Sequence, residues 1–157
     1  FEITDKIEKE LAISFPERSE EIRKKTAVFK EKLRKWDQLY QKEISSLEWK
    51  KFASYHPAWG YLAKDYGLEE VLHIKTSHND EISAKKLREY IEILKSQNVQ
   101  YFFSELNVRD NIVMNIKKEV DGLKIIKLDP LGWPVRAEGY FELLNYNLQE
   151  IKGKKVE

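Results

Sequence analysis

The sequence predicts an α/β protein with a four-stranded parallel sheet of order 2-1-3-4, flanked by helices and preceded by one long helix. Two observations predict this class. After residue 48, four short apolar runs rich in aromatic and β-branched residues alternate with amphipathic helical patterns. Crossovers between parallel strands are almost always right-handed and lay their helices on the sheet, so this alternation favours a doubly wound sheet.

Residues 1–48 are predicted to form a short helix and a long backbone helix. An apolar stripe with a spacing of four predicts that the short helix ends near Ser14; its members are Ile3, Ile7 and Leu11. Ser14 and Glu17 match a capping box around Pro16, because the serine oxygen can accept an N–H of the next turn while the glutamate reaches back. The long helix is therefore expected to run from Pro16 to about Ser46.

The long helix carries a heptad-like apolar stripe, whose members are Ile22, Phe29, Leu33, Trp36, Tyr40, Ile44 and Leu47. A coiled-coil arm is one interpretation of this stripe. We favour a helix that lies along a globular body, because the stripe contains Trp36 and Tyr40 and leads directly into a strand.

Residues 49–157 are predicted to form an α/β lobe. The predicted strands cover residues 52–55, 71–74, 99–104 and 123–128, and the predicted helices cover residues 58–66, 83–98, 111–120 and 140–151. No polar low-complexity linker interrupts them, and with 157 residues the whole chain suits one compact domain.

His56 stands between the first strand of this lobe and the helix that follows. Pro57 suits a first helical turn, where its missing N–H has no partner to lose, and Gly67 can end the same helix in the left-handed conformation. His56 is thus presented at the carboxyl end of a strand, the edge at which open α/β sheets bind ligands. A turn or capping role is the alternative for a single histidine at such a position.

Glu105 and Asp129 each follow a strand in the same way, so both are expected at the carboxyl edge beside His56. Imidazole and carboxylate are the ligands expected for zinc or manganese in a protein without thiolates. The same three side chains also suit acid–base chemistry. Against an enzyme, the sequence contains no glycine-rich phosphate loop, no G-x-S-x-G and no HExxH.

Composition excludes several other classes. The chain has 28 Lys and Arg against 27 Asp and Glu, so the formal net charge of +1 gives no sign of a nucleic-acid surface. The absence of cysteine excludes a disulfide framework, a thiolate metal site and a cysteine nucleophile. No apolar stretch is long enough for a membrane-spanning helix.

Four stretches of the chain, taken in order, are similar to a known family. They are HPAWGYLAKDYGL, SAKKLREYIEILKSQNVQYFFSEL, LKIIKLDPLG and GYFELLNYNLQEI. Together they resemble the C-terminal lobe of the zinc and manganese substrate-binding proteins of ABC uptake transporters, the periplasmic cluster A-I receptors. Two blocks are the most specific parts: the one that begins at His56 and the one that ends with Asp129-Pro-Leu-Gly. Residues 16–48 resemble the helix that joins the two lobes.

The resemblance implies an extracytoplasmic, non-enzymatic protein that binds a metal ion between two lobes and delivers it to an ABC permease. His56 matches a histidine ligand and Asp129 a carboxylate ligand, whereas Glu105 is expected to orient ligands rather than to bind the ion. Zinc is the expected ion, and a manganese- or iron-binding member of the same family is the alternative. The N-terminal lobe of the family, with two further histidine ligands, is absent from this chain, so the resemblance implies an incomplete site.

Two histidines match no ligand position of the family. His73 is expected to pack within a strand, and His78 is expected to be a solvated residue of a polar loop. Two other functions stay open on the sequence alone. One is a small metal-dependent hydrolase of doubly wound fold, in which Asp129 or Glu105 would activate a metal-bound water. The other is a lobe used for contact, with the long helix as the partner surface.

Overall fold

The computed structural model describes residues 1–75, 82–106, 111–132 and 139–153. The helices are α1 (Glu2–Ser14), α2 (Ser19–Ser45), α3 (Gly60–Tyr66), α4 (Ala84–Ser96), α5 (Asn111–Glu119) and α6 (Tyr140–Ile151). The strands are β1 (Lys51–Ser54), β2 (Glu69–His73), β3 (Tyr101–Glu105) and β4 (Lys124–Leu128). Every predicted helix and strand is present, with ends that differ by a few residues.

The chain divides into two compact units, Phe1–Glu43 and Ile44–Glu157. The first contains α1 and most of α2, and the second contains the sheet with its helices. The division at residue 48 that the sequence suggested stays a prediction.

The start of the long helix differs from the capping-box prediction. Phe15 breaks the helical path with φ −134° and ψ 67°, and a single 3₁₀ turn, Pro16–Arg18, follows before α2 begins at Ser19. No side chain caps this turn, whose main chain is closed instead by the Arg18 N–H donating to the Phe15 carbonyl oxygen at 3.0 Å. Such a 3₁₀ hydrogen bond satisfies one of the main-chain groups that a helix end leaves without an intrahelical partner.

α1 leaves its apolar stripe uncovered. Ile3, Ile7 and Leu11 are 74%, 55% and 41% exposed. Polar contacts between the two helices are made by another side of α1, where Lys30 of α2 pairs with Asp5. The spacing of four correctly predicted the helix, but α2 does not bury the face that the stripe defines.

The sheet has the predicted order β2-β1-β3-β4, and all three neighbouring pairs are parallel. Apart from the first residue of each, its central strands β1 and β3 are buried, with Phe52, Phe102 and Phe103 each 0% exposed. A run of buried aromatic and aliphatic residues is typical of a parallel strand covered by helices on both faces.

Three helix or strand boundaries are formed by residues whose local chemistry suits them. Gly67 ends α3 with φ 71°, a conformation that costs glycine little. Ser83 caps α4 by accepting a hydrogen bond from the Lys86 N–H at 3.2 Å. Gly122, with φ 74°, lies between α5 and β4. Because all the strand pairs are parallel, the carboxyl ends of β1, β3 and β4 lie at one edge of the sheet.

Among the described residues, no helix combines the length and the apolar character that crossing a bilayer requires.

Candidate metal site

Three polar residues lie at the carboxyl ends of three neighbouring strands, at one edge of the sheet. His56 follows β1 by two residues, Glu105 is the last residue of β3, and Asp129 comes directly after β4. Because β3 lies between β1 and β4, Glu105 stands between the other two. Strands two positions apart are separated by about 10 Å, which side chains from both can bridge toward a shared ion.

His56 and Glu105 form a buried pair. His56 Nδ1 lies 2.7 Å from Glu105 Oε1, and the two side chains are 12% and 8% exposed. An ionised carboxylate can only accept a hydrogen bond, so the proton is on Nδ1, and the Nδ1–H donates a hydrogen bond to Glu105 Oε1. The other ring nitrogen, Nε2, is then the one that can bind a metal.

The main chain at His56 is held by contacts of its own. Its carbonyl oxygen accepts from the Ala58 N–H at 2.8 Å and lies 2.8 Å from the Ser54 hydroxyl, which is fully buried. The Ser54 hydroxyl also hydrogen-bonds the carboxylate of Glu70 on β2. These contacts fix the turn between β1 and α3, so the direction of the imidazole is set by the backbone as well as by Glu105.

Asp129 is 1% exposed, which is rare for a carboxylate without a specific role. Its Oδ1 accepts from the N–H groups of Leu131 and Gly132 at 2.9 and 2.8 Å, an Asx turn. Gly132 has φ 77°, a value that an L side chain rarely adopts. The two hydrogen bonds of this turn hold the carboxylate of Asp129 in one orientation.

Asn147 of α6 holds the backbone of Asp129 on both sides. The Asp129 N–H donates to Asn147 Oδ1, and Asn147 Nδ2 donates to the Asp129 carbonyl oxygen, each at 2.8 Å. Sequence reasoning missed Asn147. One signal was available: Asn147 stands four residues after Leu143 and one before Leu148, within the apolar face of an amphipathic helix.

Two more polar groups lie close to this edge. Lys127 Nζ donates to Ser104 Oγ at 3.1 Å and to the Glu105 carbonyl oxygen at 3.3 Å. The Tyr146 hydroxyl donates to the Lys127 carbonyl oxygen at 3.3 Å. Burial raises the pKa of Tyr146, and the negative charges of Glu150 and Asp129 raise it further. The Tyr146 phenol therefore keeps its proton at neutral pH and acts as a donor.

The remaining histidines are placed differently. His73 is the half-buried last residue of β2 and lies opposite Ser54 in the strand register. His78 lies outside the described residues. Within the described parts of the chain, no three His, Asp or Glu side chains are close enough together to hold a metal ion.

Comparison with known proteins shows which family this chain is similar to. A family model described as "Zinc-uptake complex component A periplasmic" (ZnuA) matches residues 2–154. The zinc-binding lipoprotein AdcA of Streptococcus pneumoniae (strain ATCC BAA-255 / R6) is 30% identical over 155 residues, which are 96% of this chain and 31% of AdcA. The chain thus spans about a third of the length of that relative.

Two solved structures share the fold. A mutant structure of the laminin-binding adhesin Lmb from Streptococcus agalactiae has a TM-score of 0.82 at 32% identity, covering 94% of this chain and 56% of the Lmb chain. The Zn(II)-bound ZnuA-like domain of Streptococcus pneumoniae AdcA has a TM-score of 0.75 at 31% identity, covering 94% of this chain and 57% of that domain. The match of the family model over nearly the whole sequence establishes that this chain belongs to the ZnuA family of periplasmic zinc-uptake components.

Proposed function

We propose that this chain is the C-terminal lobe of an extracytoplasmic zinc receptor, and that His56 Nε2 and the carboxylate of Asp129 bind the zinc ion as transported cargo. The observation that carries the proposal is the buried 2.7 Å contact between His56 Nδ1 and Glu105. A carboxylate on one ring nitrogen orients the imidazole and raises the basicity of the other nitrogen, which is the usual arrangement of metal-binding histidines.

The donor set favours zinc over manganese. His56 supplies a borderline-soft nitrogen and Asp129 one oxygen, and zinc accepts low coordination with imidazole ligands, whereas manganese prefers more numerous oxygen donors. The family match and the zinc-binding name of AdcA support the same ion. They also support transport rather than catalysis, so we propose that the chain is not an enzyme.

A second lobe and a membrane permease belong to the same proposal. Two ligands leave a tetrahedral zinc shell half filled, and the chain spans 56% of the Lmb structure that it resembles. A further lobe would supply the missing ligands. The exposed apolar stripe on α1 supports such a lobe, because contiguous apolar patches on a protein surface often mark a site of contact with another protein surface. Delivery to an ABC permease is what the uptake role requires.

The test is a zinc titration of the chain against a fluorescent competitor. Two ligands should give micromolar or weaker binding, and His56→Ala or Asp129→Asn should weaken it by more than about tenfold, since even the loss of a group that only orients a ligand has that effect. His73→Ala is the matched control and should leave the affinity unchanged. Equal affinity in the parent chain and the His56→Ala variant would contradict the proposed ligand.

A further inference from the structure

The side chain of Asn147 makes the backbone hydrogen bonds at Asp129, just past the end of β4, that a neighbouring strand would otherwise make. The last pair in the β3–β4 register is Glu105 with Leu128, so Asp129 lies one residue past the ladder. Its N–H and carbonyl groups are both satisfied by the carboxamide of Asn147, at 2.8 Å each. A carboxamide carries an acceptor oxygen and a donor nitrogen side by side, so it can accept from an N–H and donate to a carbonyl at the same time.

The arrangement restrains Asp129 from two directions. Asn147 holds the peptide groups on either side of the residue, and the Asx turn to Leu131 and Gly132 holds Oδ1. Asn147 and Asp129 are 5% and 1% exposed, so water does not compete for these hydrogen bonds. A ligand held in this way loses little conformational freedom when it binds an ion.

We propose that Asn147 is a positioning residue for the metal ligand Asp129, and that it makes the metal affinity of this edge depend on the placement of α6. The inference rests on the proposed function of Asp129. It goes beyond that function because Asn147 belongs to a helix and donates nothing to the metal. A movement of α6 would be transmitted through the carboxamide to the backbone that carries the carboxylate.

The experiment compares Asn147→Leu and Asn147→Ser with the parent chain. Leucine keeps the approximate shape of asparagine without its polar atoms, and serine keeps a small polar group that cannot make both hydrogen bonds. The dissociation constant for zinc is measured by ¹H–¹⁵N NMR titration, following the amides of Leu131 and Gly132 that donate to Asp129 Oδ1. Both variants should bind zinc about 10- to 100-fold more weakly, as found when the partners that orient metal ligands are removed.

Loss of stability alone must be separated from loss of positioning. Leu94→Ala and Ile116→Val provide matched controls, because Leu94 of α4 and Ile116 of α5 are buried apolar residues of other helices, both 0% exposed. Both should lower the melting temperature and leave the zinc affinity of the folded chain unchanged. A loss of affinity in these controls equal to that in the Asn147 variants would overturn the inference.

A measurement on the parent chain covers the case in which neither Asn147 variant folds. The carboxamide resonances of Asn147 should shift during the zinc titration and saturate at the same concentration as the Gly132 amide. Resonances that stay fixed while Gly132 shifts would overturn the positioning role and leave the proposed function intact. A parent chain with no zinc-dependent shift at His56 or Gly132 would overturn the proposed function itself, and this inference with it.

Discussion

Glu105→Gln is the most informative single change at the proposed site. It keeps the length and shape of the side chain and an oxygen that can accept from His56 Nδ1, but it removes the negative charge. Both side chains are nearly buried and the contact is 2.7 Å long, so the charge acts with little screening by water.

The magnitudes follow from the type of hydrogen bond. A bond to a charged partner contributes about 1.5–3 kcal/mol and a neutral one about 0.5–1.5 kcal/mol, so the glutamine variant should lose about 1 kcal/mol of unfolding free energy. Partners that orient metal-binding histidines contribute about 10- to 100-fold in affinity. We expect zinc binding to weaken roughly tenfold in Glu105→Gln and to approach the hundredfold limit in Glu105→Ala, where the acceptor is also lost.

Two measurements check this expectation. Competition titration gives the zinc affinity, and ¹⁵N spectra of the His56 ring report whether Nδ1 or Nε2 carries the proton. The proton should stay on Nδ1 in the glutamine variant and distribute between both nitrogens in the alanine variant. Glu119→Gln, on the exposed side of α5, is the control for a lost charge. Unchanged zinc affinity in both Glu105 variants would refute the orienting role of this residue.

Two further changes test the metal preference and the uncovered helix face. His56→Glu should lower zinc affinity more than manganese affinity, because it exchanges a nitrogen donor for a harder oxygen donor; an unchanged ratio of the two affinities in competition titrations would mean that His56 does not bind the ion. Ile7→Asp should reduce self-association of the chain at micromolar concentrations, because the stripe of Ile3, Ile7 and Leu11 on α1 is exposed and apolar. Sedimentation velocity measures this, and a parent chain that is monomeric throughout would contradict it.

Periodicity in the sequence was sufficient to predict the architecture. Burial selects the apolar residues on the inner side of each strand and helix. Such residues recur every two positions in a strand and every three to four positions in a helix, so the sequence shows them directly. Because the strands are parallel, their ends also share an edge, so the placement of His56, Glu105 and Asp129 at one edge followed from topology alone. The resemblance to the uptake receptors rested on four stretches of sequence, of which the blocks around His56 and Asp129 were the most specific.

Tertiary structure alone decided which groups hold the site residues. Glu105 is 49 residues from His56, Asn147 is 18 residues from Asp129, and Glu70 is 16 residues from Ser54. Such pairs leave no periodic mark, because a hydrogen bond depends on distance and direction between two atoms that only the packed helices and strands bring together. The same reason applies to the end of α1, where the serine cap was available in the sequence but the backbone closed its own turn. Local patterns specify which side of an element is buried, and the folded neighbours specify what each polar group meets there.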